Sequence, residues 1–273
     1  MSYYQILGLE KEPFSTSPDP KFFYQSQEHK AALTRLLIEI RLRRGLSVIL
    51  GDVGTGKTTL SRKLFQMLKA REDIEFYMIL DPTYGTEQIF VESLVRTFRI
   101  QIDKATPSLL DMKEAIKQYL FQKGVNENKT IVLLVDEAQK LNTESLEVLR
   151  VMLNYETNEF KLLQLVLLAQ LELLPKIREM KNLLDRVSMR YIINPFDDVE
   201  TKEMILFRIN QAGYNSAMPL FQDEAITEIY QQTQGYPRRI AMVCHNALKR
   251  LVLDNKMVVD CDIVRKCIAE REI

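Results

Sequence analysis

Gly51-Asp52-Val53-Gly54-Thr55-Gly56-Lys57-Thr58-Thr59 decides how the rest of this chain is read. It follows the apolar run Leu46-Ser47-Val48-Ile49-Leu50 and precedes the helix-like stretch Leu60 to Leu68, so a strand, a glycine turn and a helix come in that order. Gly51, Gly56, Lys57 and Thr58 satisfy the phosphate-loop spacing, and Gly54 adds a glycine that lets successive backbone N–H groups turn toward a polyphosphate. Those amides and the positive end of the following helix make an anion cradle. In such a loop the lysine, Lys57, reaches the β- and γ-phosphates as a point charge, and the hydroxyl of Thr58 is offered to Mg²⁺. The stretch from Gly51 to Thr59 is therefore expected to hold a nucleoside triphosphate.

A second stretch extends the site. Ile131-Val132-Leu133-Leu134-Val135 is the continuous apolar run of a parallel strand buried on both faces, and it runs into Asp136-Glu137-Ala138-Gln139. Open α/β sheets bind ligands beyond the carboxyl ends of their strands. There, Asp136 is suited to holding magnesium through its water shell, and Glu137 to orienting and deprotonating an attacking water.

The 273 residues, 46% hydrophobic and 27% charged, suffice for one α/β domain with a smaller companion. Thirty-seven basic residues balance thirty-seven acidic ones, so no net field draws the chain to nucleic acid or an acidic membrane, though local basic faces remain compatible with neutrality. Cys244, Cys261 and Cys267 lack metal-ligand spacing and read as reduced thiols, and His29 and His245 are too scattered for a metal site. The N-terminus has no signal-peptide architecture. The longest apolar stretch, Leu162 to Leu174, is short for a membrane span and carries Gln164, Gln170 and Glu172, which fits a buried strand running into a helix.

Three regions follow along the chain: 1–45, an N-terminal linker and helix; 46–195, the α/β nucleotide-binding domain; and 196–273, a helical lid. In the first, Ser17-Pro18-Asp19-Pro20 excludes regular structure, and Leu33, Leu36, Leu37 and Ile40 predict a helix near 27–44. The second predicts strands near 46–50, 75–80, 130–135, 162–168 and 190–194, alternating with helices near 57–69, 86–99, 108–123 and 143–155, hence a parallel sheet sandwiched by helices. Helices alone are predicted afterwards, at 200–212, 222–233, 237–252 and 260–271.

A phosphate-loop core followed by a small all-helical domain resembles an AAA+ ATPase. Within that superfamily the chain is similar to the ExeA/GspA-like ATPases of bacterial general secretion. The carrying stretches are Tyr3-Tyr4-Gln5-Ile6-Leu7-Gly8-Leu9, Pro13-Phe14, Ser17 to Pro20, Phe23-Tyr24, Gly51 to Thr59, Leu134 to Gln139, Leu168-Ala169-Gln170, Asp185-Arg186-Val187, Pro195-Phe196 and Gly235-Tyr236-Pro237-Arg238. The resemblance implies ATP and Mg²⁺ as cofactors, nucleotide held between core and lid, and hydrolysis at subunit interfaces. Gln170 takes the place of the first sensor, which meets the γ-phosphate or lytic water, where Asn or Thr is more usual. Arg238 matches the second sensor. Arg186 is the favoured arginine finger, reaching a neighbour's nucleotide, while Arg190 is either the alternative or a residue introducing the strand at Tyr191. Tyr24, with Phe23, is a candidate for the adenine contact, or else belongs to the core. A finger acting in trans implies an ATP-dependent homo-oligomer.

Two partners remain open. The secretion-type resemblance implies assembly or remodelling of a bacterial secretion or pilus system by a cytoplasmic protein, brought to the inner membrane through a protein partner; the membrane span and wall-binding module that often follow this core are missing from these 273 residues. The same architecture also resembles the TniB/MuB-type transposition ATPases, which polymerise on duplex DNA and recruit a transposase. Lys30, Arg35, Arg41, Arg43 and Arg44, with Arg238, Arg239, Lys249, Arg250 and Lys256, are the cations that would track phosphates in that case. Tyr84 and Gly85, in the loop after the second strand, are candidates for a partner contact.

Overall fold

The computed structural model describes residues 2–15 and 19–270; Ser17 and Pro18 of the proline-spaced segment, and Arg271 at the end of the final predicted helix, lie outside the described residues. In chain order the elements are α1 (Tyr3–Ile6), α2 (Gln27–Arg41), β1 (Leu46–Gly51), α3 (Lys57–Leu68), β2 (Ile74–Ile79), α4 (Glu87–Thr97), α5 (Leu109–Phe121), β3 (Thr130–Val135) and α6 (Thr143–Met152). There follow β4 (Leu163–Ala169), α7 (Leu173–Glu179), α8 (Lys181–Leu184), β5 (Val187–Ile193), α9 (Asp198–Gln211), α10 (Asp223–Thr233), α11 (Pro237–Leu253) and α12 (Cys261–Ala269).

Contacts divide the chain into two compact units. One comprises His29–Asp52 and Leu60–Ile193; the other comprises Met1–Glu28, Val53–Thr59 and Asn194–Ile273. The expected 1–45 segment is thus shared out: its helix after Glu28 counts with the sheet, and the residues before it count with the C-terminal helices.

The first unit is built on a five-stranded parallel sheet in the order β2-β3-β4-β1-β5. β1, β3 and β4 are buried at every position, which is why their sequences are apolar without alternation. Successive side chains point to opposite faces. On one, Leu133, Val135, Leu165 and Leu167 join Phe90, Leu94, Met112, Ile116, Leu120, Leu146 and Leu149 from α4, α5 and α6 in a single core. The alternate positions Ile49, Val132, Leu134, Val166 and Leu168 are equally buried, as are Leu36 and Ile40 of α2 and Leu60 and Leu64 of α3. Gln164, the polar interruption of β4, has both amide heavy atoms bonded: its Oε1 accepts from Gly45 N–H at 2.9 Å and its Nε2 donates to the Lys161 carbonyl at 2.8 Å. Burial of an amide is tolerated on those terms. The last strand starts earlier than expected, at Val187, because its outer positions are exposed and mask the apolar signal. The strand running into a helix expected over 162–174 is β4 followed by α7, whereas α8, a single turn, is too short to show a period.

The second unit is helical. Met204, Ile205, Ile209, Ile229, Ile240, Cys244, Leu248 and Ile263 form its core, and Leu9 and Phe14 of the N-terminal segment are buried in the same cluster. Asp197 caps α9 by accepting from Glu200 N–H at 2.7 Å, and Asp260 caps α12 by accepting from Ile263 N–H at 2.9 Å. Gly235 closes the turn between α10 and α11 at φ +71°, and a Cβ built there falls 1.8 Å from the Phe196 carbonyl oxygen. The Phe196 N–H donates back to the Gly235 carbonyl at 2.9 Å, so the two backbones touch directly. Cys244, Cys261 and Cys267 form no disulfide, and burial pushes the Cys244 thiol pKa up. Among the described residues no helix is long and apolar enough to cross a membrane.

Gly235→Ala should therefore lower unfolding free energy by about 3 kcal/mol or more, measured by urea denaturation; a change within about 0.5 kcal/mol contradicts the close approach.

Candidate phosphate-loop site

Because the strands are parallel and neighbouring, the carboxyl ends of β3, β4 and β1 lie on one edge of the sheet in the order of their pairing. β1 ends at Gly51, where the loop to α3 departs, and α3 begins at Lys57. Gly54 and Gly56 take φ +86° and +97°, backbone angles that side chains resist. A Cβ on Gly54 also meets the Arg238 Cβ at 3.0 Å. Thr55 is fully buried and Lys57 is 6% exposed, so the ammonium is withdrawn from bulk water at the first turn of the helix. Lys57, Thr58, Gly51 and Asp52 all take part in polar interactions in the structure. Val53 lies at the exposed tip, 58% accessible, and Thr59 continues the first turn of α3.

Asp136, 2% exposed, follows β3 directly, and its Oδ1 accepts from the Glu137 N–H at 2.9 Å. Glu137 adopts left-handed backbone angles, φ 54° and ψ 34°, a conformation that a non-glycine residue takes at some cost. That turn brings Gln139 back beneath it: Gln139 Nε2 donates to Glu137 Oε2 at 2.7 Å. Gln170 stands one residue past β4, and its backbone N–H donates to Gln139 Oε1 at 3.1 Å. Lys176 of α7 then fixes the Gln139 carbonyl at 2.6 Å and the Leu141 carbonyl at 3.1 Å. Glu137 and Gln170 are thus brought together through one amide. Gln139 follows Asp136 and Glu137 in sequence, and its part in the site is signalled only by the two-residue offset from Glu137, legible once the left-handed turn is known.

The two arginines of the finger region differ. Arg186, just before β5, has its guanidinium on Asn154 Oδ1, from Nε at 3.1 Å and from a second nitrogen, and on the Asn182 carbonyl. Arg190 sits within β5 opposite Val48 with its side chain exposed. Arg238, the second residue of α11, is exposed, and its backbone N–H faces the Gly54 carbonyl at 3.3 Å. Tyr24 packs edge-on against Phe196 with centroids 5.5 Å apart, tilts against Phe207 at 6.0 Å, and gives its hydroxyl to Glu203. Burial, reinforced by Glu203, pushes that phenol's pKa upward. These contacts give Tyr24 a packing task independent of any ligand.

Several cations singled out as phosphate trackers are engaged within the fold. Arg43 donates to Thr130 Oγ1 at 3.0 Å and to the Asn128 carbonyl at 3.0 Å, and lies 4.4 Å from the Phe160 ring centroid. Arg250 pairs with Asp254 and Glu270, and Lys256 with Asp260. Arg35 lies over Tyr191 and Arg239 over Tyr236. Tyr84 is tied down rather than projecting, packed on Phe90 with its hydroxyl 2.7 Å from Ser93 Oγ and its carbonyl accepting from Asn142.

The donor set suits Mg²⁺ with a nucleotide. No group of three or more His, Cys, Asp or Glu side chains is arranged for a metal among the described residues. Asp136 offers a buried carboxylate and Thr58 a hydroxyl at the start of α3, and each is an oxygen donor of the kind a hard divalent cation takes beside waters and phosphate oxygens.

These features define a phosphate-loop fold of AAA architecture. Residues 40–177 match the family described as an AAA domain, and the chain belongs to that family. It is 36% identical over 248 residues to General secretion pathway protein A of Aeromonas hydrophila, a match covering 90% of this chain and 44% of that protein, so the chain spans under half of that relative's length. Among solved structures, CDC6P from Pyrobaculum aerophilum superposes with a TM-score of 0.70 at 17% identity, covering 94% of this chain and 70% of the other. The Aeropyrum pernix ORC2 protein, in its ADPNP-ADP complexes, gives 0.66 at 17% identity, covering 96% and 71%. The Thermotoga maritima RuvB Holliday junction branch migration motor gives 0.59 at 15%, covering 91% and 72%. Likeness at these identities establishes the shared fold.

Gly54→Ala should cost about 1–2 kcal/mol of stability even without ligand, read by chemical denaturation; an unchanged midpoint contradicts the positive φ at this position.

Proposed function

We propose that the chain binds and hydrolyses ATP with Mg²⁺ at subunit interfaces and couples that cycle to the assembly or remodelling of a bacterial secretion or pilus system. The observation that carries this reading is the parallel sheet order β2-β3-β4-β1-β5 with its shared carboxyl edge, where β1 leads into Gly51–Thr59, β3 into Asp136 and Glu137, and β4 into Gln170.

In this reading the loop amides from Gly51 to Thr59 and the Lys57 ammonium hold the phosphates. Thr58 and Asp136 hold the magnesium ion, which when bound neutralises charge on the phosphate oxygens. Glu137 takes a proton from a water as its oxygen bonds to the γ-phosphorus and the bond to the β,γ-bridging oxygen breaks, releasing ADP and phosphate. Gln170 orients the water or γ-phosphate, and Arg238 meets the same phosphate. Arg186 supplies positive charge to the nucleotide of the next subunit in a homo-oligomer, where charge builds up in the transition state. Tyr24 ranks as a scaffold near the adenine end.

The secretion partner is supported by the identity to General secretion pathway protein A. An ATP-consuming enzyme works where ATP is supplied, so we place it on the cytoplasmic side, reaching the inner membrane through a protein partner. Internal pairing of Arg43, Arg250 and Lys256 weighs against a phosphate-tracking groove for duplex DNA.

Lys57→Ala should abolish ATP binding in equilibrium titration, while Glu137→Gln binds ATP and loses at least about a hundredfold in turnover. Wild-type turnover should be indifferent to duplex DNA at low salt; strong stimulation that fades as salt rises contradicts the secretion reading. Arg186→Ala should be inactive alone, and an equimolar mixture with Glu137→Gln should regain roughly a quarter of wild-type turnover, the chance that an intact base meets an intact finger across an interface. A mixture as inactive as its parts contradicts a finger acting in trans.

A further inference from the structure

Gln139 has a hydrogen-bonding pattern that leaves its amide no freedom. Its Nε2 faces the Glu137 carboxylate at 2.7 Å and its Oε1 faces the Gln170 N–H at 3.1 Å. A carboxylate only accepts and a peptide N–H only donates, so turning the amide over sets oxygen against oxygen and N–H against N–H. The backbone of the same residue is held by Lys176, whose ammonium bridges the Gln139 and Leu141 carbonyls. Lys176 belongs to α7, and that helix begins in the turn where the Leu173 N–H donates to the Gln170 carbonyl at 3.1 Å. The segment from Gln170 to Lys176 therefore grips Gln139 at both side chain and main chain. Gln139 in turn grips one carboxylate oxygen of Glu137, whose own backbone is fixed in the left-handed region by its place between Asp136 and the turn that follows.

From this arrangement we infer that Gln139 is the positioning residue of the general base, and that it transmits the position of Gln170 at the end of β4 to the Glu137 carboxylate at the end of β3. The inference rests on the ATPase reading. One carboxylate oxygen is occupied by the amide, which sets the direction of the other toward the proton it removes. Any movement of Gln170 draws Oε1 with it, and because the amide is rigid and planar its Nε2 swings with respect to Glu137. Base and sensor are then aligned or misaligned together, so a shift at the end of β4 reaches the base without a contact between Glu137 and the Gln170 side chain. The coupling needs both ends of one amide, which sets glutamine apart from residues that only donate or only accept.

Two substitutions separate the ends. Gln139→Met removes both bonds at similar volume. Gln139→Glu keeps an acceptor for the Gln170 N–H but sets a carboxylate against Glu137. The measurements are steady-state ATPase kinetics, equilibrium ATP affinity in Glu137→Gln backgrounds, and amide hydrogen exchange at Gln170 without nucleotide. Both variants should lose at least about tenfold in kcat, with ATP affinity within about twofold of the reference. Gln170 exchange should accelerate in Gln139→Met and stay protected in Gln139→Glu. Turnover within about twofold of wild type in either variant overturns the inference, as does a loss of affinity in step with kcat, which marks a structural role. Unchanged Gln170 protection in Gln139→Met contradicts the coupling. Wild-type turnover no higher than that of Glu137→Gln sinks the ATPase reading itself and this inference with it, a result distinct from a fully active Gln139 variant.

Discussion

The parallel pairing of β3, β4 and β1, buried on both faces, is the constraint from which the site takes its shape. A strand sealed on both sides must pair every backbone group within the sheet, since no water reaches it. The registers that result, Val135 with Leu167 and Leu50 with Ala169, bring the three strands to an end at one edge. Chemistry-bearing residues then stand one or two positions beyond those ends: Asp136 and Glu137 after β3, Gln170 after β4, the glycine-rich loop after β1. Their spacing follows from the separation of neighbouring strands, about 4.8 Å, and the loops need only supply direction. Left-handed turns do so at Glu137 and Gly54, the first sending Gln139 back to the Glu137 carboxylate and the second keeping the loop free of a side chain.

The helical unit has its own fixed point, the backbone contact between Gly235 and Phe196. It secures the entry to α11 and so the place of Arg238 at that helix's start, with its N–H toward the Gly54 carbonyl. A cation in the first turn is disfavoured by the helix dipole unless an anion is to be met there. The bend at Gly235-Tyr236-Pro237 is therefore consistent with a phosphate-facing role for Arg238.

Much of this was legible in the sequence because it depends on local pattern. Apolar runs without alternation gave β1, β3 and β4, turn chemistry gave the phosphate loop, and helical periodicity gave α2 through α6 and α9 through α12. The relation to AAA proteins was legible for the same reason, since its motifs are short and contiguous. Less visible were features that depend on one-turn elements or on distant partners. Helix α8 is too short for a period, α7 shows only as the helix that the β4 run leads into, and β5, exposed on alternate positions at the sheet edge, announced only its last residues. Burial of Leu9 and Phe14 among the C-terminal helices could not be read from a segment punctuated by prolines. The holding of Arg186 by Asn154, and of Glu137 by Gln139, requires knowing which turns bring residues thirty-two or two positions apart into reach. The cationic residues illustrate the converse: composition marks Arg43 and Arg250 as available, whereas Thr130, Asp254 and Glu270 already engage them.

The central claim is that this chain hydrolyses ATP with Glu137 as base and a neighbour's arginine completing the site. Steady-state ATPase activity, measured with Mg²⁺ across a dilution series and set against Glu137→Gln, addresses it most directly. The account predicts turnover well above that variant and a rate per chain that rises with protein concentration as subunits associate. Turnover equal to that of Glu137→Gln at every concentration, or a full rate retained by a dilute monomer, would contradict it.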